Sequence, residues 1–387
     1  MPKFDDLSRS LVALDQDSTL IAAIELSRSS WLVGGLVPGL RRDPRKKLEP
    51  DAPTLLGLLY RWRDEAIAAG RRIERICVAY EAGRDGFWLA RWLQARGIEC
   101  HVIHPTSIPV SREHRRAKSD RLDLGLLLRA LLGWLRGEAK HCSMVAVPTV
   151  EEEDAKRPIR ERDRLTVEAT RLVNRMTSLL ALHGIRGFNV KLKGAAAKLA
   201  TLRTAEGAPL PPNTAAELRS AMQRRQVIKV RIAEIEAARL ARLKQAPHTG
   251  PNAMIALLAR VVGVGVETAE MLVHEVLSRP LRDRRAVARY AGLTGSPDES
   301  GSKRREQGLA KAGNARVRRG LIQLAWRLLT HQPQCELVKW YRERTVDGRP
   351  ITRKVMIVAM ARKLLIALWD YVTHGTLPAG MRLHPAA

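Results

Sequence analysis

Hydrophobic positions fall into three successive patterns along the chain. From about residue 19 to 148, short apolar runs rich in β-branched residues alternate with stretches of helical spacing, which predicts an α/β domain. Thr19 to Leu26 and Ser30 to Val37 read as strands. Arg75 to Tyr80 reads as a third, and Glu99 to His104 as a fourth that stops at Pro105. Between the last two, Asp85 to Arg96 places Trp88, Leu89, Trp92 and Leu93 on one helical face. Ser119 has the position of an N-cap for a helix running to about Arg136.

From about 151 to 246 charge becomes dense, and apolar residues recur at helical steps. Leu165, Leu172, Met176 and Leu179 form one stripe; Leu218, Met222, Ile228, Ile232 and Ile235 form another. Pro209, Pro211 and Pro212 separate them. This predicts a long antiparallel helical hairpin of coiled-coil type, whose stripes serve packing and offer a dimer contact. The third region, about 250 to 375, reads as helical apart from one basic loop. The expected domains are therefore residues 1–150 (α/β), 151–248 (helical hairpin) and 249–387 (helical).

Composition changes the picture mainly through charge. The 387 residues give room for two or three domains with real cores, and 45% apolar residues exclude wholesale disorder. Lys and Arg number 67 against 40 Asp and Glu, a formal net charge of +27. Such a surplus suits a polyanion, because each neutralised phosphate releases counterions. Nucleic acid comes first on that argument and a membrane surface second. Leu122 to Leu135, the most apolar stretch, is too short to span a bilayer and contains Asp123 and Arg129. The opening residues Met1 to Asp6 are polar, so no secretory leader is expected. Cys77, Cys100, Cys142 and Cys335 form no CxxC pair, which excludes a zinc ribbon and gives no disulfide framework. A soluble cytoplasmic protein is the expectation.

Residues with candidate chemistry form two groups. Glu81 follows the apolar run Ile76-Cys77-Val78-Ala79-Tyr80, and Glu25 follows Leu20 to Ile24, so both sit where buried strands end and clefts open. Asp120 and Asp123 are three apart at a helix start, hence on one face. Four carboxylates converging would need a cation between them, and an all-oxygen set suits Mg2+. Taken singly, Asp120 is equally explained by the helix dipole, and Glu81 as a surface residue.

The second group lies toward the C-terminus. Leu257 to Val266 leads through Gly263 and Gly265 into a second helix, the order of a helix-hairpin-helix, in which backbone amides meet a DNA phosphate; an ordinary tight helix turn has the same pattern. Next come Ser296, Ser300 and Ser302 among glycines, followed by Lys303, Arg304, Arg305, Lys311, Asn314 and Arg318. Between Gly301 and Gly320 there are seven Lys or Arg and one acid, a local charge of +6. A serine in that setting is placed to meet a phosphate, although composition alone also fits a solvated basic loop. His101 and His104, three apart on a strand, face opposite sides and read as structural. Trp326, Trp340 and Trp369 fit helical faces and read as packing residues, and Arg353, Lys354, Arg362 and Lys363 extend the basic surface.

Ile24-Glu25-Leu26-Ser27, Val78-Ala79-Tyr80-Glu81-Ala82-Gly83 and Ala117-Lys118-Ser119-Asp120-Arg121-Leu122-Asp123 resemble the three acidic blocks of one family. Gly292-Leu293, Ser300-Gly301 and Lys311-Ala312-Gly313-Asn314-Ala315-Arg316-Val317-Arg318 resemble its C-terminal blocks, in the same order. That family is the DEDD transposases of the insertion-sequence 110 type, whose N-terminal domain is similar to the RuvC resolvase and has an RNase H-like fold. The resemblance implies a Mg2+ site at Glu25, Glu81, Asp120 and Asp123 and a nucleophilic serine at Ser300, with Ser296 and Ser302 as rivals. It also implies DNA partners, a structured RNA encoded by the element, and a homo-oligomer that assembles its site from two subunits. One residue departs from the pattern: the first acid is usually Asp, and here it is Glu25. Either the backbone compensates for the extra methylene, or Asp15 or Asp17 serves instead, or activity is weakened. Two other functions stay open at this level, a RuvC-like nuclease acting by hydrolysis and a nucleic-acid-binding relic without cleavage.

Overall fold

The computed structural model describes residues 7–108, 119–138, 141–245, 248–279, 281, 283–300, 303–309 and 313–385. It divides into two compact units, Met1–Val150 and Glu151–Ala387.

The first unit is built on a six-stranded mixed sheet: β1 (Thr19–Leu26), β2 (Trp31–Leu36), β3 (Arg45–Leu48), β4 (Arg75–Glu81), β5 (Glu99–Ile103) and β6 (Met144–Val145), in the order β3-β2-β1-β4-β5-β6. β1, β4 and β5 are parallel, while β2, β3 and β6 run against their neighbours. The strand alternation divides the core in two. Leu20, Ala22, Ile24, Val78 and Tyr80 pack against α1 (Ala52–Ala68) and α2 (Trp88–Gln94). Ile21, Ala23, Cys77 and Ala79 pack against α3 (Asp120–Leu135). Close approach of α3 needs a glycine in β2. A Cβ on Gly34 would lie 2.8 Å from Leu124 Cδ2.

The α2 helix is shorter than its spacing predicts. A turn with Gly86 at φ +69° precedes it, and its buried face is Leu89, Ala90 and Leu93. Trp88 is exposed and lies beside Trp31 rather than in that face.

The second unit begins near α4 (Val150–Asp154) and α5 (Arg157–Leu182). A short α6 (Ala195–Lys198) follows, and then α7 (Pro212–Gln245), which starts at the last of the three prolines. Leu172, Met176 and Leu180 of α5 meet Leu218, Ala221 and Ile228 of α7. Arg175 pairs with Glu217 at one end, and Arg162 with Glu236 and Arg231 with Glu161 at the other, so the two helices are antiparallel. The apolar stripes expected to offer a dimer contact are thus largely used within one chain.

The remaining helices are α8 (Gly250–Ala259), α9 (Val266–Leu272), α10 (Arg284–Tyr290), α11 (Ala315–His331), α12 (Glu336–Glu343) and α13 (Pro350–His374). They share one core around Leu258, Leu272, Val276, Leu321, Leu328, Leu364 and Leu368. A π-helical turn, Val273–Leu277, continues α9. Arg239 of α7 and Glu270 of α9, each almost fully buried, form an ion pair at 3.1 Å. No described helix is long and apolar enough to cross a membrane.

The basic loop is not a loop. Two strands, β7 (Gly295–Ser300) and β8 (Lys303–Leu309), pair antiparallel there. Pro, Gly, Ser and Asp read as turn residues, but here cross-strand pairing supplies what local propensity lacks.

Candidate active site

The acidic residues come from three elements at one end of the first sheet. β1 and β4 pair in register from Thr19 beside Arg75 to Ile24 beside Tyr80, so the next step sets Glu25 level with Glu81. Both continue the parity of Ile21, Ala23, Cys77 and Ala79, whose side is the one α3 covers. Ser119 caps α3, its hydroxyl accepting from the Leu122 amide, and this fixes Asp120 and Asp123 in the first turn. Leu124, one residue on, rests on Gly34, and Gly34 pairs with Ala23, two residues before Glu25. Carboxylate oxygens of this kind suit a hard divalent cation. Among the described residues, however, no three of His, Cys, Asp and Glu lie close enough to share a metal ion. Shared face and shared sheet end are present; a closed coordination sphere is not.

Asp15 and Asp17 do not replace Glu25. They precede β1 at its opposite end, about 20 Å away for six residues of strand. Asp15 accepts from Ser18 Oγ and the Asp17 amide in a local turn, and these bonds hold its carboxyl below the ordinary value. Asp17 takes Arg71.

His101 and His104 likewise have local roles. His101 bonds Glu99 at 2.6 Å and lies against the Trp134 ring at 4.6 Å. Glu99 also takes Arg75 at 2.6 and 2.7 Å. Burial would raise the Glu99 carboxyl pKa, but the hydrogen bonds from His101 and Arg75 hold it well below the carboxylate range. His104 bonds Thr106, and burial lowers its pKa.

In the second unit, Ser300 ends β7 and pairs in register with Lys303. Glu299 then stands opposite Arg304, and Asp298 opposite Arg305. Ser296 lies in the same strand, and Ser302 and Lys311 fall outside the described residues. The hairpin leads toward the start of α11. There Gly313 adopts φ +88°, and a Cβ would lie 2.5 Å from the Tyr290 carbonyl oxygen and 2.7 Å from that of Arg289. A side chain is excluded on both counts.

Asn314 is the N-cap of α11, its Oδ1 accepting from the Arg316 and Val317 amides while its Nδ2 donates to Glu275 at 3.0 Å. The Asn expected to touch nucleic acid is therefore engaged inside the fold. Glu275, nearly fully buried in the π-helical turn, also takes both arms of Arg160. Burial would raise its pKa, but Arg160 and Asn314 bring it below the usual value. Arg316 pairs with Asp163 and lies 3.6 Å from Glu275. Arg318, Arg319 and Gln323 line a shallow groove on the outer side of α11. Trp326, farther along that helix, is 44% exposed, with one edge toward Tyr341, so packing occupies only part of the ring.

The turn between α8 and α9 runs through Gly263 and Gly265. Its backbone is held by the C-terminal segment: the Val262 amide donates to the Arg382 carbonyl, and buried Gln332 donates to both Val262 and Arg382 carbonyls. The space around the Gly265 Cα is open.

Sequence reading missed Glu275 and Arg160. One signal was available, a glutamate set among Met271, Leu272, Val273, Val276 and Leu277, where an apolar core would exclude an unpaired charge.

A family model described as Transposase IS116/IS110/IS902 family matches residues 255–338, the segment that holds the α8–α9 turn, the hairpin and α11. A candidate transposase of Sinorhizobium fredii, y4rJ, is 42% identical over 372 residues, covering 93% of each chain. A second from that organism, y4qE, is 25% identical over 77% of this chain and 75% of its own. A candidate family 20 transposase of Pseudomonas aeruginosa is 29% identical over 79% of this chain and 86% of its own. The chain belongs to the IS116/IS110/IS902 family of bacterial insertion-sequence transposases.

Proposed function

We propose that this transposase cuts and rejoins DNA through a covalent serine ester, with Ser300 as the nucleophile. The observation that carries the reading is the placement of Ser300 at the turn end of a basic hairpin, level with Lys303. In the reaction, the Ser300 Oγ–P bond forms as one bridging P–O bond of the phosphodiester breaks. The hydroxyl proton passes to solvent, and the released sugar oxygen takes up a proton from solvent in turn. Bond energy is kept in the ester, so the reverse attack by a sugar hydroxyl rejoins DNA without ATP. Lys303, Arg304 and Arg305 supply positive charge where the phosphorane becomes more anionic.

The first unit is read as RNase H-like, a reading supported by the strand order β3-β2-β1-β4-β5 with β2 antiparallel. Glu25, Glu81, Asp120 and Asp123 are the residues that would hold Mg2+, which when bound stabilises charge on attacking and leaving oxygens. Support comes from their oxygen-only chemistry and their common side of the sheet. Gly263, Gly265 and Arg318 are assigned to DNA contact, Lys311 with them. A structured RNA of the element and a homo-oligomer complete the proposed partners, in keeping with a net charge of +27.

The test is cleavage of element-end DNA in Mg2+ by the native chain and by Glu81→Gln. Loss of cleavage by a hundredfold or more, about 3 kcal/mol of barrier, is expected. Undiminished cleavage would remove the acidic end of the sheet from the mechanism.

A further inference from the structure

The outermost strand of the first sheet, β3, is basic and faces solvent. Arg45, Lys46 and Lys47 of that strand are exposed, as are Arg41 and Arg42 just before it. None of these five forms an ion pair or a side-chain hydrogen bond among the described residues. Elsewhere in the unit, Arg63, Arg71, Arg72 and Arg75 pair with Asp64, Asp17, Glu74 and Glu99. The acids near β3 in sequence are Asp43, Glu49 and Asp51, so residues 41–51 hold five cations against three acids. Asp43 and Glu49 are exposed and pair with none of the five. Asp51 is engaged as the α1 cap, accepting from the Thr54 amide at 2.8 Å. The turn before β3 is anchored. Gly39 adopts φ +83°, and a Cβ there would lie 2.9 Å from the Ala69 Cβ at the end of α1.

Strand register sets two of these cations in line with the acidic residues. Glu25 pairs with Leu32 across β1 and β2, and Leu32 with Lys47 across β2 and β3. Ala23, Gly34 and Arg45 make the next row on that face. By alternation, Arg45 and Lys47 share the face of Glu25 and Glu81, whereas Lys46, beside Val33, lies on the other. Half-buried Leu32 is the floor between Glu25 and Lys47. Neighbouring strands lie about 4.8 Å apart, so the Lys47 backbone is about 10 Å from that of Glu25. That span is about three nucleotides, at about 3.4 Å of rise per base along one strand. Lysines on an edge strand oppose pairing with a second copy, because like charges would meet. A polyanion is the occupant this charge fits.

We propose that Arg45 and Lys47 are positioning residues that hold the backbone of the DNA strand lying along the row of Glu25 and Glu81. Their role rests on the reading of those carboxylates as the end of the sheet that receives DNA. Each cation neutralises one phosphate and takes no part in bond breaking.

The test is the affinity of the full chain for a short element-end DNA duplex, measured against salt without divalent metal. Lys47→Gln should flatten the log K against log salt slope by about 0.9, with about eightfold weaker binding at about 0.1 M salt. Arg45→Gln should do the same, and Lys47→Arg should keep the native slope. Lys46→Gln is the internal control. It removes an exposed cation from the same strand but from the opposite face, and should leave the slope unchanged. Melting temperatures should match the native chain, since the three side chains are exposed and unpaired, so a slope change is no folding defect. Equal flattening by all three variants would overturn the row and leave diffuse surface charge. No flattening by any of them would overturn it too, leaving β3 as a guarded edge. Flattening confined to a single-stranded RNA probe would give the surface to RNA and overturn the DNA strand. Cleavage by Glu81→Gln is read separately in Mg2+, so failure of the acidic site and failure of this surface give different results.

Discussion

The Arg160 guanidinium meets the Glu275 carboxylate in a two-pronged pair at 2.9 and 3.1 Å, although 115 residues of sequence separate them. The pair ties the first long helix of the second unit to the π-helical turn after α9, and through Asn314 to the start of α11. Removing one partner of such a pair leaves the other charge unsatisfied. Glu275→Ala is expected to cost about 3 kcal/mol, the low end for a buried pair because Arg160 is partly exposed. Urea titration of the full chain checks this, with the transition of the second unit moving to lower denaturant.

Gly313 offers a sharper local test. Gly313→Ala meets two carbonyl oxygens and an unfavourable φ at once. The left-handed conformation alone costs about 1–2 kcal/mol, and the close approach to Tyr290 adds to it. Thermal melting should show a drop clearly larger than that of Gly308→Ala, where φ is +87° but no atom lies within 4 Å.

At the α11 cap, Asn314→Ala should lose about 1 kcal/mol for the cap, and more because Glu275 loses a donor. Asn314→Asp keeps the cap but sets a second carboxylate against Glu275, so it should be no better than Ala. If the main role of Asn314 were contact with nucleic acid, both variants would melt like the native chain while binding weakly.

Stability should fall on the acid side. Glu99 and Glu275 both titrate below the ordinary glutamate value, in separate units. As pH drops through the ordinary glutamate range, near 4.3, the unfolded chain takes up protons before the folded one. The stabilisation is therefore full above that range and is lost as pH falls toward the folded values. Urea midpoints compared near neutrality and in mild acid should show this loss, and Glu99→Gln should flatten the response of the first unit.

Local chemistry was readable from the chain. β1 occupies Thr19–Leu26, as its apolar run predicts, and Ser119 caps α3 because a cap depends on the next three residues alone. The antiparallel α5–α7 pair follows from two stripes with prolines between them. What escaped depends on distant partners. The β7–β8 hairpin is held by cross-strand register, which turn-like residues conceal. Glu275 looks misplaced until Arg160 and Asn314 are brought to it. Trp88 and Leu89 share a predicted stripe, yet the turn at Gly86 starts the helix late and leaves the indole outside. At the acidic end, sequence spacing puts Glu25 and Glu81 each at a strand end and two Asp on one helical turn, while the β1–β4 register is what sets the two Glu level. The distances between those groups depend on how α3 crosses the sheet, and no spacing rule contains that.

The most direct measurement is a denaturing-gel search for a covalent protein–DNA adduct. The native chain and Ser300→Ala would be incubated with element-end DNA, the flanking non-coding RNA and Mg2+. Serine transesterification predicts a slow-migrating adduct with the native chain and none with Ser300→Ala. DNA cleaved equally by both proteins, with no adduct in either, would contradict it and leave hydrolysis at the acidic site as the reaction.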